Sequence, residues 1–465
     1  MVWWRREFQA TGGHCVRLAL ALALLGVAMG CGSRSSLTGY FDPGASDGGT
    51  GGVSVGSGGR AASGGAAGTG GSVGSGGTAV SGGASGSGGA GGEFVPPFRQ
   101  FGTTQPDELF DVVVDPAGNI YVAGSTSGSL DAPADGGSAY AVDGILRKYS
   151  PAGDVLWTHQ WGGYGIDFAR SLTLDASGLL HVLFIEDSQS ILMMLDAEGE
   201  LYSDQLHGSD GVDLAVDAEG LRFLTRYVAL SDGTFDVELT KLDSGGIGLW
   251  TVQLGAGPND FPEVLAVLPN GDIALGGTTD GALFQPSQGF PEAFVARFST
   301  DGRLLWGVQL PLQAPSYVSG LAADSEGRLY AAGFTPGDGD ADGFVARVDA
   351  DGTVAWVASY GTADATETFS DIVVDGFDQV TVSGTTSGMF GAAAFGELDA
   401  FAARIHPDGG LGDVLQFGTL DKDFSWGIAA APDGAVFVVG GTTGAFEGVD
   451  DVGSPDAYLF RVAPF

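Results

Sequence analysis

Seven positions spread along the chain hold Asp107, Asp167, Ser209, Asp260, Ser316, Glu367 and Asp423, each about eight residues ahead of the end of a short apolar run. Acids fill all but two of them. If the fold brings these carboxylates to one axis, they repel one another unless a cation or hydrogen-bond donors compensate. Hard oxygen donors in a ring suit Ca²⁺ or a cationic ligand. Asp also caps tight turns by accepting backbone N–H bonds, and repetition in every unit points to that structural use more than to a single site. A second set is Asp338-Gly-Asp340-Ala-Asp342-Gly343, which copies the Asp-x-Asp-x-Asp-Gly opening of a calcium loop, with Asp349 six residues beyond the Gly. No helical pattern flanks it, and Asp342-Gly343 also belongs to a repeated strand motif. Asp338, Asp340 and Asp342 are the candidate metal ligands. The sequence has no G-x-S-x-G elbow, phosphate loop, His-x-Glu pair or cysteine nucleophile. Its five histidines lack metal-ligand spacing.

The elements that position these acids are repeats. Leu109 to Gly128 reads as two apolar strands joined by the turn Asp115-Pro116-Ala117-Gly118 and closed by Gly124-x-Thr126-x-Gly128. The G-x-T-x-G ending returns at Gly277, Gly333, Gly384 and Gly440. The first interval is three times the usual spacing, so two degenerate copies belong between residues 124 and 277, around Ala169 to Leu206 and His207 to Gly255. Each unit then supplies a third strand opening on an acid and closing on a base, as in Asp342-Gly-Phe-Val-Ala-Arg347. A Gly-marked turn and a fourth strand with Trp157, Trp250, Trp306 or Trp356 follow. About seven four-stranded antiparallel units predict an all-β, seven-bladed β-propeller over residues 97–465. Unit seven stops after its third strand, while Phe98-Arg-Gln-Phe-Gly-Thr103 precedes unit one and matches Gln416-Phe-Gly-Thr419 at the end of a fourth strand. The N-terminal strand is therefore expected to complete the last blade and hide an open edge. The ring acids should then surround one mouth of the channel, with Asp143, Asp236, Glu292, Asp342, Asp399 and Asp456 forming a wider ring. Arg147, Lys241, Arg297, Arg347, Arg404 and Arg461 are expected to pair with turn acids such as Asp115 and Asp175.

The repeats resemble the SBBP type of bacterial β-propeller repeat: acid, apolar strand, Asp-x-x-Gly, Tyr-Val-x-Gly-x-Thr, then Asp-Ala-Phe-Val-x-Lys/Arg. That resemblance implies the fold and a cell-envelope setting, and no settled activity. Ahead of the repeats, Arg5, Arg6 and Arg17 precede an apolar run from Leu18 to Met29 that is too short to span a bilayer as a helix. The run ends Ala28-Met29-Gly30-Cys31, which resembles a bacterial lipoprotein processing box, although Ala28 stands where Leu is usual. The resemblance implies a signal peptide over 1–30, lipidation of Cys31 and, from Gly32, sorting to the outer membrane. Residues 31–96 are dominated by Gly, Ser and Ala and read as a disordered tether, because so little apolar surface cannot offset ordering entropy.

Lys plus Arg number 19 against 57 Asp plus Glu, a formal charge of -38. A field of that sign disfavours nucleic acid and contact with anionic membrane other than through the lipid anchor. Both cysteines lie in the first 31 residues, so no disulfide ties the repeats together. The expectation is a non-enzymatic, monomeric envelope scaffold, periplasmic or surface-exposed, that meets a protein, glycan or matrix ligand through an acidic loop face. No cofactor is required, with Ca²⁺ as the one ion considered. Specificity would lie in the loops Ser127 to Val142, Thr279 to Glu292, Ser387 to Asp399 and Thr443 to Asp456. The alternative is a metal-dependent propeller hydrolase or lyase with its site at the channel mouth.

Overall fold

A computed structural model describes residues 97–465 apart from 131–141, 164, 338–339 and 450–452. The expected signal peptide, Cys31 and tether lie outside the described residues. Those described form strands and no helix. A short strand β1 (Phe98–Phe101) comes first. Blade 1 follows as β2 to β5 (Asp107–Val114, Ile120–Thr126, Asp143–Tyr149, Val155–Trp161), and blade 2 as β6 to β9 (Asp167–Leu174, Leu180–Glu186, Gln189–Leu195, Leu201–Ser209). Blade 3 is β10 to β13 (Gly211–Val216, Arg222–Ala229, Phe235–Leu242, Gly248–Leu254). Blade 4 is β14 to β17 (Asp260–Val267, Ile273–Thr279, Glu292–Phe298, Leu304–Gln309). Blade 5 is β18 to β21 (Tyr317–Ala323, Leu329–Pro336, Ala341–Val348, Val354–Tyr360), and blade 6 is β22 to β25 (Glu367–Val374, Val380–Thr386, Asp399–Ile405, Leu411–Phe417). Blade 7 takes β26 to β28 (Asp423–Ala430, Val436–Thr442, Asp456–Val462) and borrows β1 as its outer strand. Phe98 pairs with Phe460 and Phe101 with Ala457, antiparallel. Blades 2 and 3 are the two copies that had lost the repeat ending.

Each first strand lies beside the first strands of the neighbouring blades, so seven of them line the axis. Apolar residues on both pleats of these strands are explained by cover on both faces. Val112 packs with Ala429, Phe437 and Val439 of blade 7, while Val113 packs toward Leu172 and Val182 of blade 2. Every inner strand also carries a β-bulge near its start, at Phe110, Arg170, Val212, Glu263, Ser319, Ser370 and Trp426. Bulges sharpen local twist, which a blade needs near the axis.

The blades are stapled at their outer turns. Trp157, Trp250, Trp306 and Trp356 donate their indole N–H to Ala197, Thr300, Ala350 and Pro407 carbonyls of the following blade, at 3.0–3.2 Å. Lys148, Lys241, Arg297 and Arg347 donate to the same four carbonyls. At the closing seam Arg99 of β1 does the equivalent, donating to Ala152 and Gly153 carbonyls of blade 1 at 2.9 Å each.

The expected base–acid pairs need correction in blade 1. Lys148, not Arg147, faces Tyr121 at the position where Lys241 faces Phe223 and Arg347 faces Tyr330. A shift of one residue sends Arg147 to the other pleat, where it sits 4.0 Å over the Phe101 ring and donates to Thr158 Oγ1. Asp175 is paired with His181 at 3.1 Å. In the other blades Lys241, Arg297, Arg404 and Arg461 do meet turn acids, namely Asp217, Asp272, Asp375 and Asp433.

Candidate functional site

Asp107, Asp167, Asp260, Glu367 and Asp423 each begin the inner strand of their blade and are at most 1% exposed. At least one oxygen of each is engaged close by, while Asp107 Oδ1 and Asp260 Oδ1 are buried without a hydrogen-bond partner. Asp107 accepts Thr103 N–H at 2.6 Å, Asp167 accepts Gly163 N–H at 2.8 Å, and Asp260 accepts Ala256 N–H at 3.0 Å. Glu367 accepts Thr362 N–H at 2.7 Å and the Thr386 hydroxyl at 2.7 Å, and Asp423 accepts Thr419 N–H at 2.6 Å. Each acid therefore closes the loop that enters its own blade. Burial pushes the carboxyls of Asp107, Asp167 and Asp260 above their usual range, and that of Asp423 up to about 6.

The wider ring is engaged as well. Asp143, Asp236, Asp399 and Asp456 accept side-chain amide N–H from Gln160, Gln253, Gln416 and Gln100 at 2.6–2.9 Å. Glu292 accepts Gln288 N–H at 2.7 Å. Gln100 belongs to β1, so the closing strand repeats the lock that the outer strands of blades 1, 3 and 6 make. Of the candidate calcium loop, Asp338 lies outside the described residues, and Asp340 and Asp342 are exposed. Gly337 N–H donates to Asp340 O at 2.7 Å. Asp349 cannot close such a loop, because the extended strand β20 separates it from Asp342 by roughly 23 Å. It pairs with Arg347 at 3.2 Å. Among the described residues no group of three or more His, Cys, Asp or Glu stands close enough to hold a metal ion.

Three acids missed in the sequence reach deeper into the channel. Asp111, Asp213 and Asp371 follow the bulge of their inner strands. Each accepts the N–H of the next residue and the N–H of Leu172, Leu265 or Ile428 on an adjacent blade, at 2.7–3.1 Å. They cap the inner edge of the strands, whose amides have no further strand to pair with. Burial first, and the charges of Asp371 and Asp213, hold Asp111 far above the carboxylate range. The signal lay four residues past the ring position, in Asp107-x-x-x-Asp111 and Glu367-x-x-x-Asp371. Beside them Glu108, half-buried at the mouth, is pushed up to about 7 by burial and by Asp107.

The two ends of the channel differ. At the turn end a cavity of about 630 Å³ is walled by Val113, Val114, Leu174, Val373, Val374 and Ala430. The stapling bases also sit at that end, on the closing halves of the third strands. At the mouth, loops expose Asp187, Asp232, Asp342, Asp364, Asp421 and Glu447.

Residues 98–131 match the family model of the SBBP beta-propeller repeat, a stretch that spans β1, β2 and β3. No curated protein matches the chain. Among solved structures the chain is similar to a streptogramin B lyase, at 12% identity and TM-score 0.48, over 78% of this chain and 97% of that one. It is similar to the Pan2 WD40 domain of Neurospora crassa at 8% identity and TM-score 0.48, over 77% and 89%. It is also similar to BamB from Moraxella catarrhalis at 13% identity and TM-score 0.39, over 76% and 85%. The chain is a seven-bladed β-propeller whose residues 98–131 match the SBBP beta-propeller repeat.

Proposed function

We propose that the protein is a non-enzymatic cell-envelope scaffold, anchored at the outer membrane through Cys31, that presents its acidic loop face to a protein, glycan or matrix partner. Charge asymmetry carries this reading. Bases gather at the turn end, where they bind carbonyls and turn acids, while the described loops of the opposite end expose Asp187, Asp232, Asp342, Asp364, Asp421 and Glu447 and pair Lys422 with Glu397. Such a face steers basic or hydrogen-bonding partners and repels phosphate. The ring acids support the same reading, since each already accepts a backbone N–H of the loop that enters its own blade.

The test is binding of wild-type protein to an envelope fraction, compared with two variants of equal charge. One replaces Asp187, Asp364, Asp421 and Glu447 by amides; the other replaces Asp154, Glu219, Asp301 and Asp351 at the turn end. Loss of roughly tenfold or more in binding by the first alone is expected. Equal behaviour of the two would remove the acidic face from the proposal. Cys31→Ala should move the protein from the membrane to the soluble fraction.

A second reading, a metal-dependent hydrolase or lyase at the mouth, rests on Glu108, whose carboxyl is poised near 7 where proton transfer is efficient. Metal analysis of the purified protein, then replacement of Asp107, Asp167, Asp260 and Asp423 by Asn, separates the two. A stoichiometric metal lost in that variant would favour the enzyme.

A further inference from the structure

The second strand of six blades opens on an aliphatic residue: Ile120, Leu180, Ile273, Leu329, Val380 and Val436. Blade 3 has Arg222 there, fully buried. Two more exchanges stand in blade 2, on the other side of the seam. Ser203 of blade 2 stands at the register position of Trp157, Trp250, Trp306 and Trp356, and Met194 stands at that of Lys148, Lys241, Arg297 and Arg347. Elsewhere those indoles and bases cover the second carbonyl of the next outer turn. In blade 3 that carbonyl belongs to Ser244, and Arg222 Nη2 donates to it at 2.9 Å, with Asp243 O at 3.3 Å. The guanidinium thus replaces both the indole and the base from the opposite side of the seam.

The exchange leaves groups unmet. Arg222 Nε and Nη1 and the Ser203 hydroxyl are closed off from solvent without hydrogen-bond partners. Among the described residues no carboxylate lies within 4.0 Å of Arg222. Asp243, the acid whose charge it feels, accepts Ile247 N–H at 2.8 Å. His181 and His207 are near enough for Arg222 to disfavour their protonation, and Asp175 is held by His181. With Nε2–H given to Asp175, His181 Nδ1 is a lone pair and no donor. An uncompensated buried ion is strongly destabilising, and such orphaned groups in a native fold signal an unseen water or ion. Water would meet the donors and leave the charge.

We propose that the seam between blades 2 and 3 binds one small monovalent anion of the chloride class, held by Arg222 Nε–H and Nη1–H and by the Ser203 hydroxyl. Bromide is the probe. Crystals grown without halide and soaked in sodium bromide should show an anomalous peak against the Arg222 guanidinium. In solution, sodium chloride should raise Tm saturably by about 2 °C over sodium methanesulfonate at equal ionic strength. Arg222→Leu, which restores the residue type of the other blades, should abolish that difference and raise Tm in halide-free medium. Ser203→Ala should weaken the halide response while keeping the fold. An ordered water in place of bromide, or a halide response that persists in Arg222→Leu, would overturn the proposal.

Discussion

At the scale of residues, buried acids dominate the pH response. A carboxyl whose folded pKa is raised keeps its proton in the folded chain when the unfolded chain has already lost it. Between the two values the folded state binds more protons, so stability falls as pH rises. For Asp423 the window runs from about 4, the unfolded value, to about 6. For Glu108 it extends to about 7. The other raised acids, Asp107, Asp111, Asp167 and Asp260, act in the same direction. His181 and His207, lowered chiefly by burial, act the other way as pH rises toward their ordinary value of about 6.5. The raised acids outnumber them, and Tm is therefore expected to be higher at pH 5 than at pH 7.5. Asp423→Asn should flatten that slope, because the amide oxygen keeps the Thr419 N–H bond while the titration disappears. A Tm that climbs from pH 5 to 7.5 would contradict the assignment. The ring acids were visible in the sequence as a periodic column, whose repetition in every unit pointed to blade construction more than to a single site. The deeper acids were hidden because a bulge moves them off the strand's alternation, and Arg147 was misplaced because one residue of register reverses a pleat.

At the scale of elements, glycines show which repeats were legible. Gly124, Gly277, Gly333, Gly384 and Gly440 pass so close to the carbonyls of Glu108, Phe261, Tyr317, Thr368 and Phe424 that a Cβ would collide with the chain. Thr126, Thr279, Thr386 and Thr442 then accept the N–H of Gly128, Gly281, Gly388 and Gly444 at 3.0–3.1 Å, opening a long loop. Blade 2 joins the same two strands by a tight turn through Asp187 and Ser188, both at positive φ, and so has no use for that ending. Its copy was illegible because the connection differs, while the strands remain. Outer turns give a sharper test. Gly352 has φ +89°, and a Cβ there would stand 2.8 Å from the Trp306 ring. Gly352→Ala should destabilise the fold by about 2 kcal/mol, from left-handed strain plus displacement of the staple. Gly248 has open space and an ordinary φ, so Gly248→Ala should change stability by less than about 0.5 kcal/mol. Similar losses from both would mean that the indole does not pack as described.

At the scale of the molecule, the ring is only as closed as its shortest strand. β1 offers four residues to β28, where complete outer strands offer six to nine. Its ladder joins positions more than 300 residues apart, so loop closure opposes it more than any hairpin in the ring. Side chains offset this. Gln100 donates to Gly444 O and Asp456 and accepts Phe446 N–H, the same three-way lock that Gln416 makes inside blade 6 with Gly388, Asp399 and Phe390. Arg99 ties the seam onward to blade 1, and Arg147 of blade 1 covers Phe101. If opening starts at this seam, amides of β28 that face β1 exchange with solvent sooner than their counterparts facing β25 on β24. Gln100→Ala should speed the first set about tenfold and leave the second unchanged, as expected for a loss of about 1.4 kcal/mol in local opening. Gln416→Ala should lower global stability by a similar amount without that selective acceleration, because its strand is held by covalent turns on both sides. Uniform exchange across the seven blades of the Gln100→Ala protein would mean that the ring opens elsewhere, and that β1 is held by the packing of Phe98 and Phe101 more than by its polar lock.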